Sequence, residues 1–161
     1  MSGLFGDGFK DAKIGGRGAY FTDGLYRVEI ETVKKVVTRK EQKYYTAECK
    51  ILIAKNSALA PGMIRSWMVG THQDNFYSDV KGFIAAIYGY DPSNTDNQKI
   101  IDENVTPEFA EKTYEVQPTN LKGKIVDLEA FTRPNKNKEG QFTVHNWRPF
   151  WMNVFQLVPV G

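Results

Sequence analysis

The amino-acid sequence predicts a β-rich fold, all-β apart from one main helix. Three observations support this class. Two long runs of alternating apolar and polar residues come early in the chain, a single stretch near the middle has helical spacing, and two further alternating runs close the sequence. The predicted order of elements is therefore strand, strand, strand, helix, strand, strand.

The first two strands are predicted from strict alternation. The first begins near Leu25 and continues to Val37, with a bulge or bend near Val33 where the alternation breaks. The polar run TRKEQK, residues 38–43, forms a loop, so the two strands should pair as an antiparallel hairpin. The second strand places one apolar row on a single face: Tyr45, Ala47, Cys49, Ile51 and Ile53.

The third strand and the main helix follow a turn at Pro61-Gly62. The strand is predicted from Met63 to Val69, and the helix from Asn75 to Tyr88 with Gly89 placed to end it. A short helix is predicted to start at Thr106-Pro107, because Thr is a good cap and Pro a good first helical residue. The apolar stripe of the main helix should face the core: Phe76, Val80, Phe83, Ile84 and Ile87.

Two final strands are predicted from Lys124 to Thr132 and from Gln141 to about Val158, the second interrupted at Pro149. With the helical insert between strands three and four, this order matches the five-stranded Greek-key barrel called the OB-fold. Residues 1–18 contain six glycines and are predicted to be a flexible arm, and residues 19–161 a single OB-like domain.

Charge is segregated along the chain although the formal net charge is only +2. Residues 1–69 carry 12 Lys and Arg against 7 Asp and Glu, residues 70–118 carry 3 against 9, and residues 119–161 carry 6 against 3. An acidic helical insert at about 70–118 thus separates two basic segments. Such blocks predict which surfaces attract or repel a charged partner.

The two loops that flank the ligand groove of an OB-fold are both basic here. The first contains Arg39, Lys40 and Lys43 against one acid, and the second contains Arg133, Lys136 and Lys138 against one acid. Cations near a strand path attract phosphates, and flat side chains stack on bases. The remaining candidates for nucleic-acid binding lie on the strands beside these loops: Lys34, Tyr44, Lys50, Arg65, Trp67 and Trp147.

Tyr44 and Trp67 are the best stacking candidates, yet their assignment depends on strand register. Neighbouring residues of a strand point to opposite faces, so Tyr44 faces outward only if Tyr45 faces inward. Basic loops are also commonly just solvated surface. Trp147 can instead pack over the barrel end, and His145 is predicted to be a partly buried strand residue rather than a ligand contact.

A catalytic role is not predicted. His72 and His145 are 73 positions apart, Cys49 is the only cysteine, and no spacing resembles a zinc site or a hydrolytic triad. The GGRG run at residues 15–18 is not a phosphate loop, because no strand precedes it. No cofactor, metal or membrane association is expected. A lone cysteine and the lack of an apolar leader predict a cytoplasmic protein.

Four segments together resemble a group of small bacteriophage proteins, namely YFTDGLYRVEI, PGMIRSWMV, DVKGFIAAIYG and QFTVHNWRPF. That group comprises OB-fold single-stranded DNA-binding proteins of phage replication and recombination. The resemblance covers about residues 20–150 and implies sequence-tolerant binding that protects single strands. Bacterial single-strand binding proteins and several phage counterparts end in an acidic tail that recruits partners, whereas this chain ends FQLVPVG.

Two hypotheses therefore stand. The leading one is a non-catalytic single-stranded DNA-binding protein of the host-cell cytoplasm, whose acidic insert contacts replication or recombination proteins. The alternative is a viral structural or assembly protein that uses a β-barrel to meet other subunits, since small barrels host many functions. The sequence leaves open whether the chain forms a homo-oligomer.

Overall fold

The structure is a computed structural model and describes residues 20–134, 141–152 and 155. The predicted arm at residues 1–18 and two of the predicted site residues, Lys136 and Lys138, lie outside these ranges, as does the end of the last predicted strand.

Five strands and three α-helices make up the described chain. The strands are β1 (Gly24–Val37), β2 (Lys43–Lys55), β3 (Ile64–Gly70), β4 (Ile125–Pro134) and β5 (Gln141–Arg148). The helices are α1 (Phe76–Ile87), α2 (Gln98–Asn104) and α3 (Pro107–Glu115), all between β3 and β4. Short 3-10 turns occur at Thr95–Asn97 and Phe150–Met152.

The strands form one sheet in the order β3-β2-β1-β4-β5, and every neighbouring pair is antiparallel. The predicted β-rich class is confirmed, and so are the five strands and the position of the helical insert between the third and fourth of them. Within the described ranges, β3 and β5 form the two edges of an open sheet. Tyr20 adds an isolated parallel bridge to Ser66 on the β3 edge.

The hairpin of β1 and β2 contains the predicted bend. The pairing register shifts between Ile30 and Thr32, which returns Val33 to the buried face opposite Ala47. A second shift lies between Arg27 and Val28. This shift moves Ile53 out of the inward row. The side chain is 42% exposed, so the predicted place of Ile53 in that row is wrong.

Helix α1 presents the predicted apolar stripe to the sheet. Val80, Phe83, Ile84 and Ile87 are buried, and Phe76 is partly buried against the same core. The start of α3 is also confirmed, because the Thr106 hydroxyl accepts a hydrogen bond from the Phe109 amide at 3.2 Å.

Two predictions about secondary structure are wrong. The insert contains three helices rather than one main helix and a short second one, because α2 was not predicted. Only Ile101 is buried in α2, so its sequence has no apolar stripe to reveal it. The predicted interruption of the last strand at Pro149, which lacks the N–H that a continuing strand needs, is confirmed, but residues 150–152 form a 3-10 helix instead of resuming the strand.

Aromatic rings fill the space between the sheet and α1. The Phe83 ring lies 4.9 Å from the Trp67 ring and 4.7 Å from the Trp147 ring, measured between centroids. The two tryptophan rings are themselves 5.3 Å apart, at an edge-on angle. Since Trp67 is on β3 and Trp147 on β5, these rings bring the two edges of the sheet together.

A buried ion pair lies on the opposite face of the sheet. The Arg27 guanidinium donates to both carboxylate oxygens of Asp127 at 2.8 and 3.1 Å, and Asp127 is fully buried. Arg27 also donates to the Phe150 carbonyl at 3.0 Å, and its guanidinium contacts the rings of Phe150 and Phe155. Hydrogen bonding to Asp127 raises the pKa of Arg27.

Replacing Arg27 with Met should lower the free energy of unfolding by about 3–5 kcal/mol, since it leaves the Asp127 carboxylate buried without a partner. Urea unfolding at neutral pH measures the loss. The double variant Arg27→Met/Asp127→Leu removes both charges and should recover much of the stability. A single variant as stable as the wild type would contradict the structural role given to this pair.

Candidate nucleic-acid interface

The far end of the β1–β2 hairpin is the most basic part of the described surface. We call residues 34–43 the basic hairpin end; they contain five cations, Lys34, Lys35, Arg39, Lys40 and Lys43, against the single acid Glu41. The turn is closed by backbone hydrogen bonds from Thr38 to Gln42 at 2.8 Å and from Glu41 to Thr38 at 2.9 Å. Predicted site residues from two strands and one loop are therefore brought together here.

Most of these cations have no acidic partner. Lys34 contacts Glu48 at 3.3 Å on half-exposed side chains. Within the described ranges, Lys35, Arg39, Lys40 and Lys43 have no carboxylate within 4 Å, and all four are exposed. Because no described ion pair neutralises them, these four charges remain free to attract an anion.

Strand alternation divides the basic hairpin end between two sides of the sheet. Lys34 and Tyr44 point to the side away from α1, because each is next to a residue of the inward row. Lys35 pairs with Tyr45, and Lys43 pairs with Val37, so both lysines point to the helix side. The bend in β1 produces this arrangement. Lys35 was not among the predicted site residues.

Tyr44 is half-buried and faces outward, as predicted. Its ring meets His72 edge-on at 5.6 Å, and both rings pack over Gly70, the residue paired with Tyr44 on β3. A Cβ on Gly70 would clash with a His72 ring carbon and would lie 3.0 Å from a Tyr44 ring carbon. Glycine is therefore required for the two rings to lie side by side. His72 was not among the site residues predicted from the sequence.

The surface next to Tyr44 is a mixed polar and apolar face of β2 and β3, which we call the outer face. Lys50 is exposed on it, as predicted, and Ile64 beside it is half-exposed. Tyr20 reaches this face from the β3 edge, where its hydroxyl donates to the Met68 sulfur at 3.3 Å. The outer face consists of Tyr44, Thr46, Glu48, Lys50, Ile64, Ser66 and Met68.

Three predicted site residues point to the other side of the sheet. Trp67 is 4% exposed and Trp147 is 3% exposed, and both belong to the aromatic core. The prediction that Trp67 forms a stacking platform is wrong, because its partner on β2 is the inward residue Ala47. Arg65 pairs with inward Cys49 and so does not share a face with Lys50.

Arg133 is the predicted cation of the second basic loop that lies within the described residues. Arg133 is exposed at the end of β4, with its guanidinium 4.9 Å from the centroid of the Phe131 ring. Ala130 of β4 pairs with Gly24 at the start of β1, whereas the basic hairpin end begins at Lys34, near the end of β1. Arg133 and the basic hairpin end therefore lie toward opposite ends of β1 along the strand.

A cleft of about 590 Å³ opens on the helix side of the basic hairpin end. Lys35 and Lys43 line its sheet wall, and Phe76, Tyr77 and Tyr114 supply aromatic rings from the helices. Tyr77 is 82% exposed at the rim. Sequence reasoning missed this cleft because its walls come together only when α1 and α3 pack on the sheet.

Buried titratable groups on the inner side are not suited to bind phosphate. Burial lowers the pKa of His145 to about 4, so the imidazole is uncharged at neutral pH. This agrees with the prediction that His145 is a partly buried strand residue. Burial also raises the pKa of the Cys49 thiol, as expected for a small residue in the apolar core.

Comparison with known proteins gives no family. No protein-family model matches the chain, and no curated protein matches it either. Among the described residues, no three His, Cys, Asp or Glu side chains are grouped so as to hold a metal ion. No helix in the described part of the chain is both long and apolar enough to cross a membrane.

Replacing Trp67 with Ala should lower the free energy of unfolding by about 3–5 kcal/mol, because it leaves a cavity in the aromatic core. Thermal or urea unfolding measures the loss. Trp151→Ala is the matched control: Trp151 is 62% exposed, so its removal should change stability far less. Equal effects of the two substitutions would contradict the core position of Trp67.

Proposed function

We propose that this protein is a non-catalytic single-stranded DNA-binding protein that binds with little regard to sequence. The observation that carries the proposal is the basic hairpin end, where four exposed cations without described acidic partners adjoin the outward ring of Tyr44. Cations for phosphates beside a ring for a base are the two components of single-strand recognition.

The architecture we propose is a partly open OB-like Greek-key barrel. The sheet order β3-β2-β1-β4-β5 is the order of an OB barrel cut between its third and fifth strands. The 5.3 Å separation of the Trp67 and Trp147 rings supports it, because side chains of the two edge strands meet even though the strands do not pair within the described ranges.

Single strands rather than duplexes are the proposed ligand because a ring can stack only on an accessible base. Tyr44 is half-exposed beside His72 on the outer face, and unpaired bases offer flat surfaces of any sequence. A role in phage replication or recombination, in the host cytoplasm, rests on the sequence resemblance. The acidic helices α2 and α3 are the proposed contact for partner proteins.

One observation favours the alternative of a viral structural or assembly protein. Four aromatic side chains are exposed near the end of α1: Tyr88, Tyr90, Phe150 and Trp151. The Trp151 indole donates to the Gly89 carbonyl at 2.9 Å, which joins the two segments into one patch. Exposed apolar patches of this kind often mark protein–protein contacts.

Binding should weaken steeply with salt. If about four cations contact phosphates, the slope of log affinity against log salt should be roughly −3, at about 0.7 per phosphate for single strands. Arg39→Ala/Lys40→Ala should flatten the slope by roughly 1.4 for the same reason. Titration of a fluorescent oligonucleotide at several salt concentrations measures both slopes.

The matched control is Lys99→Ala/Lys122→Ala, which removes two exposed lysines from other parts of the surface. It should leave the slope close to that of the wild type. If the two double variants had the same slope, the basic hairpin end would not be the phosphate-binding surface. If the wild-type protein bound no oligonucleotide, and if Trp151→Ala reduced its self-association, the alternative function would be supported.

Tyr44→Ala should weaken oligonucleotide binding by about 5- to 150-fold while leaving the salt slope unchanged. Stacking contributes roughly 1–3 kcal/mol per base, and about 1.4 kcal/mol corresponds to a tenfold change. Tyr44→Phe keeps the ring and should bind nearly as well as the wild type. A melting curve for each variant separates lost stacking from lost structure, and equal affinities for Ala and Phe at position 44 would rule out the platform.

A further inference from the structure

The cleft on the helix side of the basic hairpin end has the composition of a nucleotide pocket. Its volume, about 590 Å³, is in the range of small-ligand sites. Its surface combines two lysines from the sheet with aromatic rings from α1 and α3, and both lysines, Lys35 and Lys43, belong to the basic hairpin end. We infer that the cleft binds one nucleotide of the single strand, with its base among the rings and its phosphate at Lys35 and Lys43.

The cations of the cleft that have no described acidic partner lie on one wall, where they would attract an anion. Lys35 and Lys43 are exposed and have no carboxylate within 4 Å in the described ranges. The third lysine, Lys81, is paired with Asp102 at 2.7 Å on the opposite wall. The free positive charge is therefore concentrated on the sheet side, where the strand would arrive from the basic hairpin end.

The helix walls provide surface for a flat base. The Phe76 and Tyr77 rings are 5.2 Å apart and nearly perpendicular, and Tyr114 lines the same cleft. Tyr77 is 82% exposed although it lies next to the buried stripe of α1. A largely solvated aromatic ring at the mouth of an apolar cleft is well placed to cover a bound base.

Glu111 gives the pocket a basis for selectivity. It lines the cleft from α3, is exposed, and has no cation within 4 Å in the described ranges. A carboxylate repels phosphate but accepts a hydrogen bond from an exocyclic amino group, such as N4 of cytosine. The cleft should therefore prefer a base with an amino group to thymine, in contrast to the sequence-tolerant stacking at Tyr44.

This inference rests on the proposed function and is tested with the full chain and oligo-dC and oligo-dT of equal length at pH 8. Tyr77→Ala should weaken oligonucleotide binding by about 5- to 150-fold, the range for loss of one stacked base. The matched control Tyr90→Ala removes an exposed tyrosine that does not line the cleft and should bind like the wild type. Lys35→Ala should flatten the salt slope, whereas Lys99→Ala should not.

Oligo-dC should bind about 5-fold more tightly than oligo-dT, and Glu111→Ala should abolish that difference, whereas the control Glu115→Ala should keep it. The nucleotide assignment would be overturned if Arg39→Ala/Lys40→Ala weakened binding but Tyr77→Ala and Lys35→Ala matched their controls. If no oligonucleotide bound at all, the proposed function and this inference would fail together.

Discussion

The rings of Trp67 and Trp147 meet above Phe83 of α1, and this contact joins the two strands that end the sheet. An open five-stranded sheet has two unpaired edges, which are a liability unless they are covered or brought together. Here the aromatic core bends the sheet around α1 without strand pairing in the described ranges. The inner face is therefore occupied by core side chains, and a ligand must bind on the outer face or beyond the ends of the strands.

The basic hairpin end is such a place, because β1 and β2 extend past the part of the sheet that α1 covers. The bend after Ile30 keeps Val33 in the core and then turns Lys35 to the helix side. The same two strands thus present cations on both sides: Lys34 beside Tyr44, and Lys35 in the cleft. A single strand that crosses the hairpin would contact cations on either side of it, which connects the two proposed binding surfaces.

The parts of the fold that the sequence predicts are those with strong local signals. Alternation located β1 and β2, and the Thr106-Pro107 cap located the start of α3. The side of β3 that faces the core could not be predicted in this way. Its sequence IRSWMVG has apolar residues on both sides, so alternation alone does not decide which side is buried. Pairing of Trp67 with Ala47 makes that choice. Tyr77, His72 and the cleft could not be predicted either, because no local sequence pattern shows which segments pack together in the folded chain.

In the folded protein, the acidic insert repels a phosphate at the cleft less than its sequence suggests. Acidic side chains repel a phosphate chain, and exposed charges act over roughly 10 Å at ordinary salt. Yet Lys81 pairs with Asp102 at the cleft, which reduces the repulsion there. Glu111 of α3 lines the same cleft as Lys35 and Lys43. If the proposed nucleotide binds here, its favoured orientation has phosphate toward the sheet and base toward the helices, so the insert would orient it rather than exclude it.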